Sequence, residues 1–375
     1  MPSKFNTSLI LNKYIYKFLS KINIIMDKKS IIFLGISILI LVVMLYFVGI
    51  NDVINALKVA DLRLILIAII MQLFTIVLYT IRWKSLNGIA NMDVKTSKLF
   101  PMVLVGLAVN NITPSGRGGG EPVRAYLLSR EENYPMEETF AAVVADRALD
   151  TFPFVVLAVL TIIGMALSFD ISPGLLALMV VAVVAIVVLL MVLIYMCINP
   201  GFGKRVDGWI IGLVRRFYKK NSDELEEKIH GVIKGFQDTM NMVIHNKKVL
   251  YYALPLSFLI WVFEILRVYF VFLAFGASVN LIVIGEVFIL ASLAGMIPLL
   301  PGGLGAVDGI MIIFYTAAGI TASISAGATV IERLISFWMP TILGMVILPH
   351  YGSSVLDKIS FGSDAKEISD ENEDD

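Results

Sequence analysis

Pro114-Ser115-Gly116-Arg117-Gly118-Gly119-Gly120-Glu121 is nearly repeated by Pro301-Gly302-Gly303-Leu304-Gly305-Ala306-Val307-Asp308, 187 positions later. At that offset Pro114 falls on Pro301, Gly116 on Gly303, Gly118 on Gly305 and Glu121 on Asp308. Pro153 falls on Pro340, and Asp146-Arg147 lies one residue out of register with Glu332-Arg333. The offset is close to half the chain, so the sequence reads as two copies of one structural unit. Gly/Pro breaks and charges inside apolar repeats point to a site between the two copies.

The surroundings of these passages are apolar. Hydrophobic residues make up 58% of the chain and mean hydropathy is +0.85, which excludes an ordinary soluble domain. Runs long enough to span a bilayer lie at 31–49, 62–83, 152–167, 174–198, 250–276 and 329–348. Two more apolar regions, 99–112 and 281–319, are interrupted by the Gly/Pro passages. The alternation of a β-barrel is absent, so the spans are helices. The expected fold is an all-α polytopic membrane protein with about six full spans and two broken or re-entrant hairpins. It is organised as a basic N-terminus (1–30), a transmembrane domain (31–351) and an acidic, disordered tail (352–375).

Charge placement sets the orientation. Lys and Arg total 30, and so do Asp and Glu, but six lysines fall in the first 29 residues. Arg82, Lys84, Lys95 and Lys98 form a second basic group, and the segment 199–248 a third. Positive residues stay cytoplasmic. All three groups lie on one side only if 99–130 enters and leaves the membrane on the same face. The second hairpin, 282–319, then enters from the opposite face. Each repeat (about 62–169 and 249–350) reads span, hairpin, span, and the two are inverted. Within 199–248, Val206, Trp209, Ile210, Leu213, Val214 and Phe217 recur at helical spacing between basic residues. This fits a helix on the inner leaflet or one packed on the ends of the spans. Leu225, Ile229, Val232, Ile233 and Phe236 form a second such pattern.

Several residues could carry chemistry. Pro114 stops a helix, and Gly116, Gly118, Gly119 and Gly120 permit tight backbone geometry. Glu121-Pro122 begins a new helix, whose unpaired N–H groups suit an anion. Arg117 and Arg124 have the fork geometry that suits phosphate. The alternative is a plain turn with Glu121 and Arg124 paired at i,i+3. Pro301, Gly302, Gly303 and Gly305 supply the matching turn. Asp146, Arg147 and Asp150 interrupt an apolar helix, where each charge costs about 2.5–3.5 kcal/mol on insertion scales. They read as a self-neutralising cluster or as a phosphate site, with Arg147 facing a cavity and Asp146 or Asp150 orienting it. Glu332 and Arg333 hold the matching place, and Glu264, Arg267 and Glu286 are lesser candidates. Trp261, Phe263, Tyr269, Phe270 and Phe272 read as packing or lipid-facing residues. The lone Cys197 allows no intramolecular disulfide. His230, His245 and His350 have no ligand-like spacing, so no metal or cofactor is expected. The Gly-rich passage lacks a Walker Gly-Lys-Ser/Thr ending, and no nucleic-acid partner is expected.

Taken in order, 113–128, Asp146-Arg147-Ala148-Leu149-Asp150, 301–305 and Glu332-Arg333 resemble the flippase-like membrane region of lysylphosphatidylglycerol synthase. The resemblance covers about 31–351. It implies that Arg117, Glu121, Arg124, Asp146, Arg147, Asp150, Glu332 and Arg333 match the family's charged positions, while Asp308 stands where Glu is more usual. In two-part members a soluble domain transfers the amino acid and the membrane part moves the lipid. No such soluble domain is expected here, so the resemblance implies lipid handling rather than lysyl transfer. The expected cargo is a phospholipid or a polyprenyl-linked lipid of the cytoplasmic membrane. Alternatives are a lipid-modifying transferase, or a subunit docking a separate synthase or glycosyltransferase. The topology is testable by cysteine labelling in a Cys197→Ser background. Lys13→Cys and Lys248→Cys should both react with an impermeant maleimide only once the cytoplasmic face is opened. Labelling of Lys248→Cys in intact cells would overturn the hairpin assignment.

Overall fold

The computed structural model describes residues 58–113, 119–168, 172–199, 222–277, 279–296 and 305–351, with isolated positions 201, 205, 208 and 303. Their regular structure is helical: α1 (Leu62–Ile89), α2 (Thr96–Ile112), α3 (Gly120–Glu132), α4 (Met136–Ser168), α5 (Pro173–Ile198) and α6 (Ser222–His245). A π-helical turn, Val249–Ala253, leads into α7 (Leu254–Ala274). Then follow α8 (Leu281–Gly295), α9 (Ala306–Ala317) and α10 (Ala322–Arg333), which runs through a π-helical segment, Leu334–Trp338, into α11 (Met339–Ile347). The contacts below lie within one compact unit, Val48–Gly344. The described part of the other unit is 345–351, the end of α11 and one 3-10 turn.

Among the described residues, five helical stretches are long and apolar enough to cross a bilayer: Leu62–Ile89, Met136–Leu167, Pro173–Val192, Val249–Ala274 and Ala322–Tyr351. They coincide with five of the six expected spans. The sixth, 31–49, lies outside the described residues, as do 1–30, 352–375 and nearly all of the 206–217 pattern. The protein is an all-α, multi-pass membrane protein. Its α5 is the most lipid-facing of these spans, with only 11% of its apolar window buried. Ser172 caps α5, accepting from the Leu175 N–H, and Pro173 fits its first turn. α6 packs on α4, where Met240 and Val243 meet Ala141 and Ala145. That favours packing over a free surface helix for its second half; the side chains at 222–229 lie outside the described residues.

Both interrupted apolar regions form antiparallel helical hairpins. In the first, Lys98 at the start of α2 meets Glu132 at the end of α3 at 2.6 Å. At the other end Asn110 Oδ1 accepts from the Gly120 N–H at 2.7 Å. In the second, the Tyr315 hydroxyl donates to Ile284 O at 3.0 Å, while Gly303 abuts Gly295 at the tip. These four helices have 17, 13, 15 and 12 residues. Each falls short of the ~20 residues that a span requires.

The helices repeat as the sequence does. α2, α3 and α4 begin at 96, 120 and 136; α8, α9 and α10 begin at 281, 306 and 322. The corresponding long helices, α1 and α7, lie side by side and antiparallel. The Asp61 N–H, before α1, donates to Ala274 O, at the end of α7, at 2.8 Å. Arg82, near the end of α1, reaches Ser257, near the start of α7, at 3.0 Å. Equivalent helices that run antiparallel require the two copies to be inverted.

Gly120 explains one strict sequence requirement. An added Cβ there would lie 2.0 Å from Gly106 O, a backbone atom that cannot move alone. Gly120→Val should destabilise the protein by about 1–3 kcal/mol through overpacking. Gly88→Ala meets nothing within 4 Å and should be neutral or slightly stabilising. Thermal unfolding of both variants in detergent tests the contrast.

Candidate functional site

A cavity of about 160 Å³ lies where the two copies meet, roomy enough for several waters. Its wall includes Arg82, Arg124, Arg147, Arg267 and Arg333, and five carboxylates: Glu121, Asp146, Asp150, Glu264 and Glu332. The charges come from α1, α3, α4, α7 and α10. Because most lie inside apolar helices, each must be paired or hydrated to be tolerated.

Two arginines organise the wall. Arg82, on α1, is 1% exposed and donates to Asp146 Oδ1 at 2.7 Å and to Asp150 Oδ1 at 2.9 Å. Arg267, on α7, is equally buried and donates to Glu332 Oε1 at 2.8 Å as well as to Glu264. Each also crosses between the copies, Arg82 to Ser257 on α7 and Arg267 to Gln72 on α1. Gln72 and Ser257 are equivalent positions, as are Arg82 and Arg267. The exchange is therefore reciprocal and marks a pseudo-twofold axis across the α1–α7 contact. Arg147, on α4, approaches Glu121, on α3, at 3.5 Å; Arg333, on α10, reaches Asp308, on α9, at 3.0 Å. One wiring scheme thus occurs twice. A long-helix arginine holds the acid of the following span, and the adjacent arginine of that span reaches the first turn of the hairpin's second helix.

The remaining site residues fall into this frame. Arg124 places both terminal nitrogens 3.1 Å from Asp146 Oδ2 and stacks over Trp83, 4.2 Å from the ring centroid. The alternative pairing of Glu121 with Arg124 is not the one formed: Glu121 accepts from Asn110 Nδ2 at 3.2 Å and faces Arg147. Of the two readings of α4, Asp150 does lie beside Arg147, at 3.7 Å, whereas Asp146 serves Arg82 and Arg124 instead. The Arg147 side chain is 40% exposed, against 1% for Arg82, 12% for Arg124 and 7% for Arg333.

The turns differ in detail. Gly119 precedes α3 with ordinary helical angles, and Gly120 opens the helix with its N–H taken by Asn110. Gly303 and Gly305 adopt φ of 66° and 77°, the left-handed region that glycine tolerates. Asp308 Oδ2 accepts from the Gly305 N–H at 2.8 Å, so this acid caps α9 as well as pairing Arg333. Arg117, Pro114, Gly116, Gly118, Pro301 and Gly302 lie outside the described residues.

Four contributors were not singled out from the sequence. Arg82 falls among the cytoplasmic charges in the sequence but is buried, and its two-residue departure from the 187 offset hides its match to Arg267. Gln72, Ser257 and Trp83 looked like ordinary span residues. Trp261 is more than packing, since it lines the cavity and donates through Nε1 to Asp150 O at 3.2 Å. Several cavity-wall atoms (Glu121 Oε2, Arg124 Nε and Arg267 Nε) are buried without a hydrogen bond among the described residues. Such atoms ordinarily meet water or a ligand.

Residues 30–344 match the family described as the lysylphosphatidylglycerol synthase TM region. The chain belongs to this family. It is 50% identical over 334 residues to a UPF0104 membrane protein of Methanothermobacter thermautotrophicus, covering 89% of this chain and 99% of that one. A UPF0104 membrane protein of Methanocaldococcus jannaschii is 31% identical over 85% of this chain and 94% of its own length. The glycosyltransferase AglD of Haloferax volcanii is 24% identical over 80% of this chain but only 51% of its own length.

Arg82→Ala would leave Asp146 and Asp150 short of their main partner, a loss of about 3–5 kcal/mol for a broken buried ion pair. The variant should yield little folded protein. Arg147→Ala, at a more exposed position, should fold and elute like wild type in size-exclusion chromatography.

Proposed function

We propose that the protein moves the polar head group of an anionic lipid between leaflets, through the charged cavity between its two inverted halves. One observation carries the reading: arginines and carboxylates of both halves wall a single cavity inside apolar helices. Arginine forks suit a phosphate. The paired acids keep the cavity near neutral without it, so that a head group can exchange partners rather than remain trapped. Arg147 is the residue assigned to first contact with the phosphate. Arg124 and Arg333 stand behind it, and Arg117 belongs to the same proposal. Inverted repeats with broken helices at their interface suit access from alternating sides. The acyl chains would remain in the bilayer. The protein is assigned to the cytoplasmic membrane with its N-terminus inside.

A second reading draws on AglD, whose matched portion is about half of that protein. A membrane part of this kind could serve a glycosyltransferase on a separate chain, with a lipid-linked sugar as cargo. Co-purification of such an enzyme, lost on deleting 204–220, would favour it.

Leaflet exchange of fluorescent lipids in proteoliposomes tests the first reading. Wild type should accelerate exchange of anionic head groups, and Arg147→Ala should reduce it at least tenfold. Full exchange by the folded variant would remove Arg147 from the mechanism. A mass change in the lipid would point instead to a transferase.

A further inference from the structure

A second cavity, of about 310 Å³, lies between α4, α7 and α8. Its lining is apolar except for Thr161 and Glu286. Leu160, Val262 and Ile282 form its outer edge and are 58%, 49% and 67% exposed, so the groove opens on the lipid-facing surface of three apolar helices. Glu286 is 7% exposed. One of its oxygens packs against the backbone of Gly164, which a Cβ would obstruct at 1.8 Å. The other, Oε2, is buried without a hydrogen-bond partner among the described residues.

An aromatic wall separates this groove from the charged cavity. Phe154, Trp261 and Phe288 face the cavity, with the Trp261 ring 5.1 Å from Phe154 and 6.4 Å from Phe288. Leu157, Val262 and Ile289, on the same three helices, face the groove. The other half is built differently here. Gly344, which matches Leu157 at the 187 offset, packs on α2 so closely that a Cβ would lie 2.2 Å from Leu104 O. The groove is therefore a departure from the pseudo-symmetry that the ion pairs obey.

An unpaired buried carboxyl in an apolar lining is costly unless something bonds it. What reaches a groove on a lipid-facing surface is bilayer lipid. A hydroxyl or amine donor satisfies a carboxyl oxygen in either protonation state. We infer that this groove binds the hydrocarbon chain of a bilayer lipid, with a donor at the root of the chain hydrogen-bonded to Glu286. This is a binding site in its own right and does not require that the lipid be translocated.

The full-length protein in nanodiscs tests it, with a diacylglycerol carrying a diazirine in one chain and a free hydroxyl, against its methyl ether. Peptide mapping should place the hydroxyl probe on residues 157–161, 262–266 and 281–289 at least fivefold over the exposed face of α5 at 180–189. The methyl ether should label the groove several-fold less. Gly285→Leu fills the groove, since a Cβ there makes only ordinary contact with Ile265 at 3.6 Å. Leu160→Trp fills it from the rim. Both should remove groove labelling and leave α5 labelling unchanged. Glu286→Leu should abolish the preference for the hydroxyl. Labelling no stronger than on α5, insensitivity to both filling variants, or equal labelling by the two probes would overturn the proposal. So would capture of residues 31–49 by p-benzoylphenylalanine placed at Leu160, because the chain itself would then occupy the groove.

Discussion

An arginine remains charged wherever the fold puts it, and this protein puts Arg82 and Arg267 at 1% exposure among apolar helices. The remaining geometry follows from satisfying those two guanidiniums. Arg82 draws α4 to α1 through Asp146 and Asp150; Arg267 draws α10 to α7 through Glu332. Their further bonds, to Ser257 and Gln72, tie α1 to α7. Helices that would otherwise slide freely in hydrocarbon are therefore held in one register. The hydrophobic effect offers little help, because lipid tails and apolar side chains are equivalent solvents.

Small residues supply the rest of the packing. Gly106 and Gly120 let α2 and α3 touch backbone to backbone, and Gly344 does so for α11 and α2. Asn111 then donates to Phe337 O at 3.1 Å, within the π-helical segment that follows Arg333. π-Helical turns recur at functional sites. Here one sets Ser336 and Phe337 into the cavity wall beside Arg333.

The sequence made much of this legible. Hydropathy located five spans that the structure contains, and the Gly/Pro passages marked the tips of both hairpins. The 187 offset anticipated the repeat and the placement of basic residues its inversion, and Glu332-Arg333 as the counterpart of Asp146-Arg147 placed both pairs in the cavity wall. What escaped were interactions between helices distant in sequence. Glu121 and Arg124 have good i,i+3 spacing, but Asn110 and Asp146 offered each a better-placed partner. Arg82 sits at the basic end of an apolar run, where the positive-inside rule reads it as solvated. Only the partners on α4 and α7 make it a buried residue. Gln72 and Ser257 carry no signal alone, because a polar residue in a span is informative only once its facing residue is known.

The pseudo-twofold axis also has an energetic meaning. Two inverted copies of one motif can exchange conformations, and a perfectly symmetric chain would populate both arrangements equally. Any resting preference must then arise where the copies differ. Asp150 is such a place: it binds Arg82 and lies near Arg147, whereas the matching residue of the other copy, with Asp146 set on Glu332, is Ser336. It gives Arg82 two carboxylates on the neighbouring span α4, whereas Arg267 takes one from α10 and the other, Glu264, from its own helix. One copy is therefore clasped to its following span at two points, and its twin at one.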